Sequence, residues 1–571
     1  MGLLAGVSVL PVLFLMPLFD APFERDQGLY GVIARGWLEG LVPYRDLWDN
    51  KGPLLFLWYV AAFKLLGEGV VGPRLLAALG TTAAVPFVWD SARTLLGPRK
   101  GLIAALLFAL AFANPFLQAN ANAEILMLCP LAAGFWAFTK GSSGGGQWWF
   151  VLAGVFTALA LLTKQAAAGP LAGYALWLAV VALRNPQERT RHLRAAFLLG
   201  TGVLLGLAPF VAYFATQGAL GDFWYATVQF NFVFANDNPF LLKLLPPLLL
   251  NPPPLLGGLP LWVLAVLGGV RLWQRRDRTA GLILTFAIFS ELAAQFFGKV
   301  SAHYNVGLLP AAAVLGAVGF DVVTDAWRAG RRRLGYAVAA CALVAISASA
   351  YLYAWPTPED RFVVQYTFRD YAFRSLQARD IAQEVDALTE ADDYVYEFGR
   401  QSDIYFLADR MPASRWVHNR AYGINPSMMD EVLADLELRR PKLVLLTFEC
   451  VPFSREFPNC EAGPPAELKA YLAGHYRYAG RVHYADFYLR IDAESSTQPL
   501  ASLGLEEDHD EKDTTCLVAR LRNATSAASG PVPSGGSFRY WREYGCPVGS
   551  AEFGGASALS GRGARHRDLD L

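Results

Sequence analysis

The stretch "FERDQGLYGVIARGWLEGLVPYRDLWDNKGPLLF", residues 23–56, sets Glu24, Asp26, Asp46, Asp49 and Lys51 between two strongly apolar segments, 3–19 and 53–66. Ionisable groups at the ends of apolar spans are costly unless paired, hydrated or used. Whether the segment "PLLFLWYVAAFKLL" (53–66) crosses a membrane decides which side those charges occupy, and with them the architecture.

The rest of the chain shows that a membrane is involved. Of 571 residues, 54% are hydrophobic and 17% charged, and the mean hydropathy is +0.29. Further apolar runs occur near 74–92, 101–117, 124–139, 148–163, 166–183, 195–215, 255–270, 280–297, 304–320 and 335–354. Each approaches the ~20 residues that span a bilayer core. The 53–66 segment reaches only about 21 Å as a helix. Formal net charge is zero, so no global basic footprint points to nucleic acid. The six cysteines form no Cys-x-x-Cys pair, which argues against a zinc or redox cluster. Cys129 and Cys341 fall in apolar runs, and Cys450 and Cys460 are close enough in sequence to pair in an oxidising compartment.

Basic clusters at 97–101, 184–194, 271–278 and 328–333 resolve the ambiguous segment. If 53–66 lies in the interface, all four fall on one side together with Lys140, and the positive-inside rule makes that side cytoplasmic. The expected protein is multi-pass and α-helical, with about eleven spans in a plasma (inner) membrane, bacterial by this reading, with an endoplasmic reticulum membrane as the alternative. Its N-terminus is inside, and the first run is an uncleaved span because no basic residues precede it. A first outer loop covers 20–52, and 53–66 is a helix lying in the outer interface or a re-entrant segment, within a transmembrane domain, 1–355. Residues 356–495 read as a small α/β extracytoplasmic domain, with a helix at 375–388 and strands in "DYVYEFG", "KLVLLTFE" and "YADFYLRI". The acidic, then Gly/Ser/Ala-rich, sequence 496–571 reads as a disordered tail.

That topology collects Asp26, Asp49, Lys51, Glu124, Lys164, Lys299, His303 and Tyr304 at one membrane level. Each also has a plainer reading. Asp26 would be the N-cap of an interfacial amphipathic helix carrying Leu29, Ile33, Trp37 and Leu41. Lys51 would be a snorkelling lysine, and Glu124 an acid placed at a helix N-terminus. Arg45 and Asp46 read as turn chemistry, and the aromatic stretch 221–234 as an interfacial belt.

The order "RDQGLYGVIARGWLEGLVPYRDLWDNKGPLLFLW", "NAE", "LLTKQ", "HYNVGLLP" resembles the GT-C fold glycosyltransferases over roughly residues 20–320. The branch it looks most like contains the protein O-mannosyltransferases and the lipid A aminoarabinose transferases. The resemblance implies an inverting hexosyl- or pentosyltransferase that takes a sugar from a polyprenyl-phosphate donor. The acceptor would be a lipid, glycan or protein at the outer face. By the same resemblance Asp26 would be the general base and Glu124 a second acid near the acceptor. Lys51 would contact the donor phosphate, with Lys164, His303 and Tyr304 lining the substrate pocket. Asp49 would shape that pocket or, with Asp26, help to hold a divalent metal. The sequence departs from the family pattern at Gln27, where a second acid is usual, and at Lys51-Gly52-Pro53, where Lys-Pro-Pro is usual. The competing reading is a transporter or flippase of lipid-linked sugars, for which no internal repeat is visible.

Overall fold

The computed structural model describes residues 2–114, 117, 121–236, 249, 252–296, 302–354, 357–365, 370–422, 424–425, 427–447 and 464–491. Lys299, Cys450, Cys460 and the 496–571 tail lie outside them.

Among the described residues, nine α-helices fill the first part of the chain: α1 (Gly2–Leu15), α2 (Arg25–Leu38), α3 (Pro53–Leu66), α4 (Val71–Leu96), α5 (Pro98–Leu110), α6 (Ala123–Ser142), α7 (Trp148–Thr163), α8 (Ala168–Arg184) and α9 (Arg189–Thr216). Their ends follow local chemistry. Gly97, with φ of +97°, stops α4 where a side chain would be strained, and Pro98 opens α5 at a position that needs no N–H. Longer helices follow at Leu259–Arg275, Arg278–Gln295, Leu309–Arg328 and Arg332–Tyr353. Among the described residues six helical stretches are long and apolar enough to cross a membrane, and Gly2–Leu18, Pro53–Leu66 and Trp148–Thr163 are apolar but shorter. This is a multi-pass membrane protein. Its helices approach closely through small residues: a Cβ on Gly154 of α7 would stand 2.2 Å from the Leu199 carbonyl oxygen of α9.

The bundle has two chemically distinct ends. At one, Lys100 pairs with Asp321 at 2.8 Å, Lys140 with Asp90 at 2.6 Å, and Arg278 with Glu188 at 2.8 Å. These contacts join members of three of the basic clusters. At the other end are Glu124 in the first turn of α6 and Lys164, the residue that ends α7.

Beyond the helices, a four-stranded sheet has the order β1-β2-β4-β3: β1 (Val395–Phe398), β2 (Leu443–Leu446), β3 (Tyr476–Val482) and β4 (Ala485–Arg490). β1 runs parallel to β2, with Val395 opposite Leu443, and β4 runs antiparallel to both β2 and β3. Both β1, at one edge of the sheet, and β2, in its interior, are buried throughout, as expected for strands covered on both faces. They and β4 fall within the three stretches read as strands. β3 completes a hairpin that the sequence reading did not place.

One expectation is corrected. α2 is not a half-exposed interfacial helix: every residue from Gln27 to Gly36 is buried. It is packed between α3 and a short helix, Asp403–Ala408. A Cβ on Gly28 would lie 2.3 Å from Asp403 Cα, so only glycine allows this approach. Arg35 anchors the far end to Glu68 and Asp409, each at 2.8 Å.

Candidate active site

The acidic loop between α2 and α3 is shaped first by its own turn. Asp46 accepts a hydrogen bond from the Val42 amide at 2.7 Å and pairs with Arg45 at 2.8 Å, so both serve turn geometry as the sequence reading expected. Trp48 is buried among the rings of Phe230, Trp416 and His418. Asn50 then ties the loop down. Its Nδ2 donates to Asn231 Oδ1 at 2.9 Å, and its carbonyl accepts from Asn231 Nδ2 at 3.0 Å and from Gln165 Nε2 at 2.9 Å. The aromatic stretch 221–234, read as an interfacial belt, therefore also carries a structural polar residue of the site. Gly52 has an ordinary φ of −72°, so its requirement is space: a Cβ there would lie 2.0 Å from the Leu162 carbonyl oxygen. This close contact seats the loop on the end of α7, beside Lys164.

Asp26 stands in the first turn of α2. The N-cap itself is Glu24, which makes no side-chain cap bond, so Asp26 is not the capping residue its plainer reading required. A residue from the sheet-bearing part of the chain meets it. Arg420 reaches Asp26 Oδ1 at 3.2 Å, Asn50 Oδ1 at 3.3 Å and Asp49 Oδ1 at 3.7 Å. His418 lies 3.6 Å from Asp49 through Nε2, while its Nδ1 accepts the Arg420 amide at 3.1 Å, so the neutral ring carries its proton toward Asp49. Lys51 donates to Asn50 Oδ1 at 3.0 Å and sits 4.0 Å from Asp49.

The electrostatics follow from this cation cluster. Burial works to raise the Asp26 carboxyl, but Arg420 and Lys51 more than offset it and hold the group well below the usual carboxylate range. Asp49 is lowered for the same reason: its burial is outweighed by Lys51, His418 and Arg420. Burial drives His418 down to about 4 against the pull of Asp49, so it is neutral near pH 7. Glu24, buried and close to Asp26, is pushed up to about 8 and keeps its proton. Asp26 leaves 26% of its side chain open and Lys51 15%, whereas Asp49 leaves none. Asp26 and Lys51 can therefore meet a bound molecule, and Asp49 acts on it through its neighbours. Arg420 already fills the space between the two acids with a cation, so Asp26 and Asp49 in this arrangement do not fit a divalent metal. Among the described residues no group of three or more potential ligands gathers elsewhere.

The second half of the site borders the first. Lys164 donates to Glu124 Oε1, and His303 Nε2 is 3.6 Å from the same oxygen. The Lys164 ammonium also lies 4.4 Å from the Tyr304 ring centroid. These groups stand over a cleft whose walls include Met127, Leu131, Pro170 and Ala294. Of the eight residues singled out from the sequence, the structure places seven near one another, and the eighth, Lys299, lies outside the described residues. The structure adds Arg420, His418, Asn231 and Gln165, which sequence reasoning did not find. "HNR" at 418–420 has no periodic or motif signal of its own.

The fold has known counterparts. The crystal structure of ArnT from Cupriavidus metallidurans bound to undecaprenyl phosphate aligns with a TM-score of 0.55 at 16% identity, over 86% of this chain and 98% of that one. Its apo state aligns with a TM-score of 0.53 at 15% identity, over 85% and 97%. The chain has a GT-C fold. A family model described as dolichyl-phosphate-mannose-protein mannosyltransferase matches residues 51–213. Undecaprenyl phosphate-alpha-4-amino-4-deoxy-L-arabinose arabinosyl transferase 1 of Pseudomonas fluorescens is 28% identical over 308 residues, 49% of this chain. The chain spans about half the length of that curated relative, 51%. Within the GT-C frame, the family match contains Lys51, Glu124 and Lys164, while Asp26, His418 and Arg420 fall outside it.

Proposed function

We propose that this chain is an inverting glycosyltransferase that moves a sugar from a polyprenyl-phosphate donor to a lipid, glycan or protein acceptor at the outer face of the membrane. The observation that supports the reading is the clustering of Asp26 and Lys51 beside Lys164, Glu124 and His303, close enough to act on one another electrostatically, at the bundle end opposite the basic clusters. Positive loops favour the cytoplasm, which puts that end outside. The substrate for which the Pseudomonas fluorescens relative is named, undecaprenyl-phosphate aminoarabinose, and the undecaprenyl phosphate bound by the Cupriavidus metallidurans structure are of the proposed donor class.

The chemistry is one displacement. Asp26, kept ionised and partly open, takes the proton from the acceptor group as that group bonds to the anomeric carbon. The bond from that carbon to the phosphate oxygen breaks, and the phosphate leaves with the electron pair. Lys51 and Lys164 meet the developing charge. The cleft below Lys164 and Tyr304 takes the first part of the apolar tail. Asp49 and His418 position Lys51 and Arg420 and do not touch substrate.

The test is mass analysis of products after purified protein is given a panel of polyprenyl-phosphate sugars and acceptors. Transfer is expected from the wild-type protein. Asp26→Asn, well inserted, is expected to lose about 10²–10⁴ in rate. Movement of lipid-linked sugar without any product, or full turnover by Asp26→Asn, would overturn the reading.

A further inference from the structure

The basic end of the bundle carries a second cleft that the proposed reaction does not use. It lies where the α6–α7 turn, the α8–α9 connection and the start of Arg278–Gln295 meet, and encloses about 540 Å³ of space partly open to solvent. Arg191, His192 and Arg278 line it, together with Ser142, Phe150 and Trp177. Glu188 neutralises part of this charge, pairing with Arg278 at 2.8 Å and His192 at 3.3 Å. The Arg191 side chain is exposed and has no ion-pair partner among the described residues. Ser142 Oγ, on the cleft wall, is buried without a hydrogen-bond partner. Polar groups left in this way mark space for something that bonds to them. The surroundings are strongly positive: 184–194 holds four arginines against one glutamate, and 271–278 four against one aspartate.

We infer that this cleft binds the phosphate headgroup of an anionic glycerophospholipid from the leaflet at the basic end of the bundle. Arg191 supplies the open charge and Ser142 a hydroxyl donor, while Phe150 and Trp177 face the glycerol and upper acyl carbons. The surface beside the cleft commits the site to a lipid rather than a free phosphate. Leu183, Leu193 and Phe197 are 73%, 55% and 73% exposed, and Trp148 and Trp273 are 55% and 66% exposed. A row of exposed aliphatic and tryptophan side chains is what a helix presents at the lipid–water boundary. Basic pockets between helices on the cytoplasmic side are suited to anionic headgroups.

The experiment is native mass spectrometry of the full chain released from micelles containing equal amounts of phosphatidylglycerol and phosphatidylcholine. Retention should favour phosphatidylglycerol, and Arg191→Gln should reduce that preference about fivefold, the share expected for one basic side chain at an anionic surface. Ser142→Ala should reduce it further without lowering the melting temperature, since that hydroxyl bonds to nothing in the protein. Equal retention of the two lipids, or an unchanged preference in well-folded Arg191→Gln, would overturn the inference. So would displacement of phosphatidylglycerol by inorganic phosphate alone, which would make the ligand a soluble anion.

Discussion

Arg420 joins two parts of the chain that are nearly 400 residues apart in sequence, and its removal has a calculable cost. Its guanidinium is 3.2 Å from Asp26, with 16% and 26% of the two side chains open to solvent. Two unit charges about 4 Å apart at an effective dielectric of ~20 interact by about 4 kcal/mol. Partial exposure, and the nearby Lys51 and Arg25 that also act on Asp26, reduce the loss to roughly 1–2 kcal/mol, between an exposed and a fully buried pair. Arg420→Gln should therefore lower the melting temperature in detergent. Asp26→Asn in the same chain should recover part of that loss, because it removes the acid left without its partner. The coupling in this double-mutant cycle should exceed the ~0.5 kcal/mol scatter of independent sites. The pH dependence has a definite sign. Asp26 is depressed from 3.8, so its contribution is present above that value and is lost as pH falls through the lower folded value. The wild-type advantage over Arg420→Gln should thus be full at pH 7 and shrink only in strong acid. Additive effects of the two substitutions would refute the pairing.

Gly52→Ala should destabilise the protein by about 1–3 kcal/mol through overpacking against the Leu162 carbonyl, and should cost more in turnover than in melting temperature because Lys51 moves with the loop; kinetics and thermal unfolding on one sample separate the two. For Glu24, raised to about 8 by burial and Asp26, the unfolded chain ionises first as pH rises from 4.5, so stability falls across that window. Glu24→Gln should remove this slope, and superimposable melting-temperature profiles from pH 5 to 8 would contradict it. Because Arg420 occupies the space between Asp26 and Asp49, transfer should survive exhaustive chelation, as measured by product formation with and without chelator.

Much of the site was legible because its residues sit in sequence where chemistry and hydrophobicity conflict. Asp26, Lys51, Glu124, Lys164 and His303 are polar at the ends of apolar runs, and the basic clusters fix which ends belong together. The residues that were missed lie where no such conflict exists. Arg420 and His418 are ordinary polar residues in a polar region, and only tertiary folding carries them to Asp26. Asn231 is hidden in "QFNFVF", whose aromatic composition suits lipid equally well. The stripe of Leu29, Ile33 and Trp37 suits the plainer reading of α2 as an interfacial amphipathic helix. The opposite signal was Gly28 and Gly31, one turn apart, which clear a second face for Asp403 and Phe406. β3 was overlooked because "YRYAGRV" is interrupted by Gly480, where the ladder shifts register.

The order in which a ribosome delivers this protein gives the Arg420–Asp26 contact a further meaning. Every helix of the bundle through Tyr353 emerges before position 420 is translated. During that interval the nascent chain holds Asp26, Lys51, Glu124 and Lys164 but lacks the guanidinium that pairs with Asp26. A chain terminated before residue 420 would therefore insert into its membrane with Asp26 held by Lys51 and Arg25 but not by Arg420.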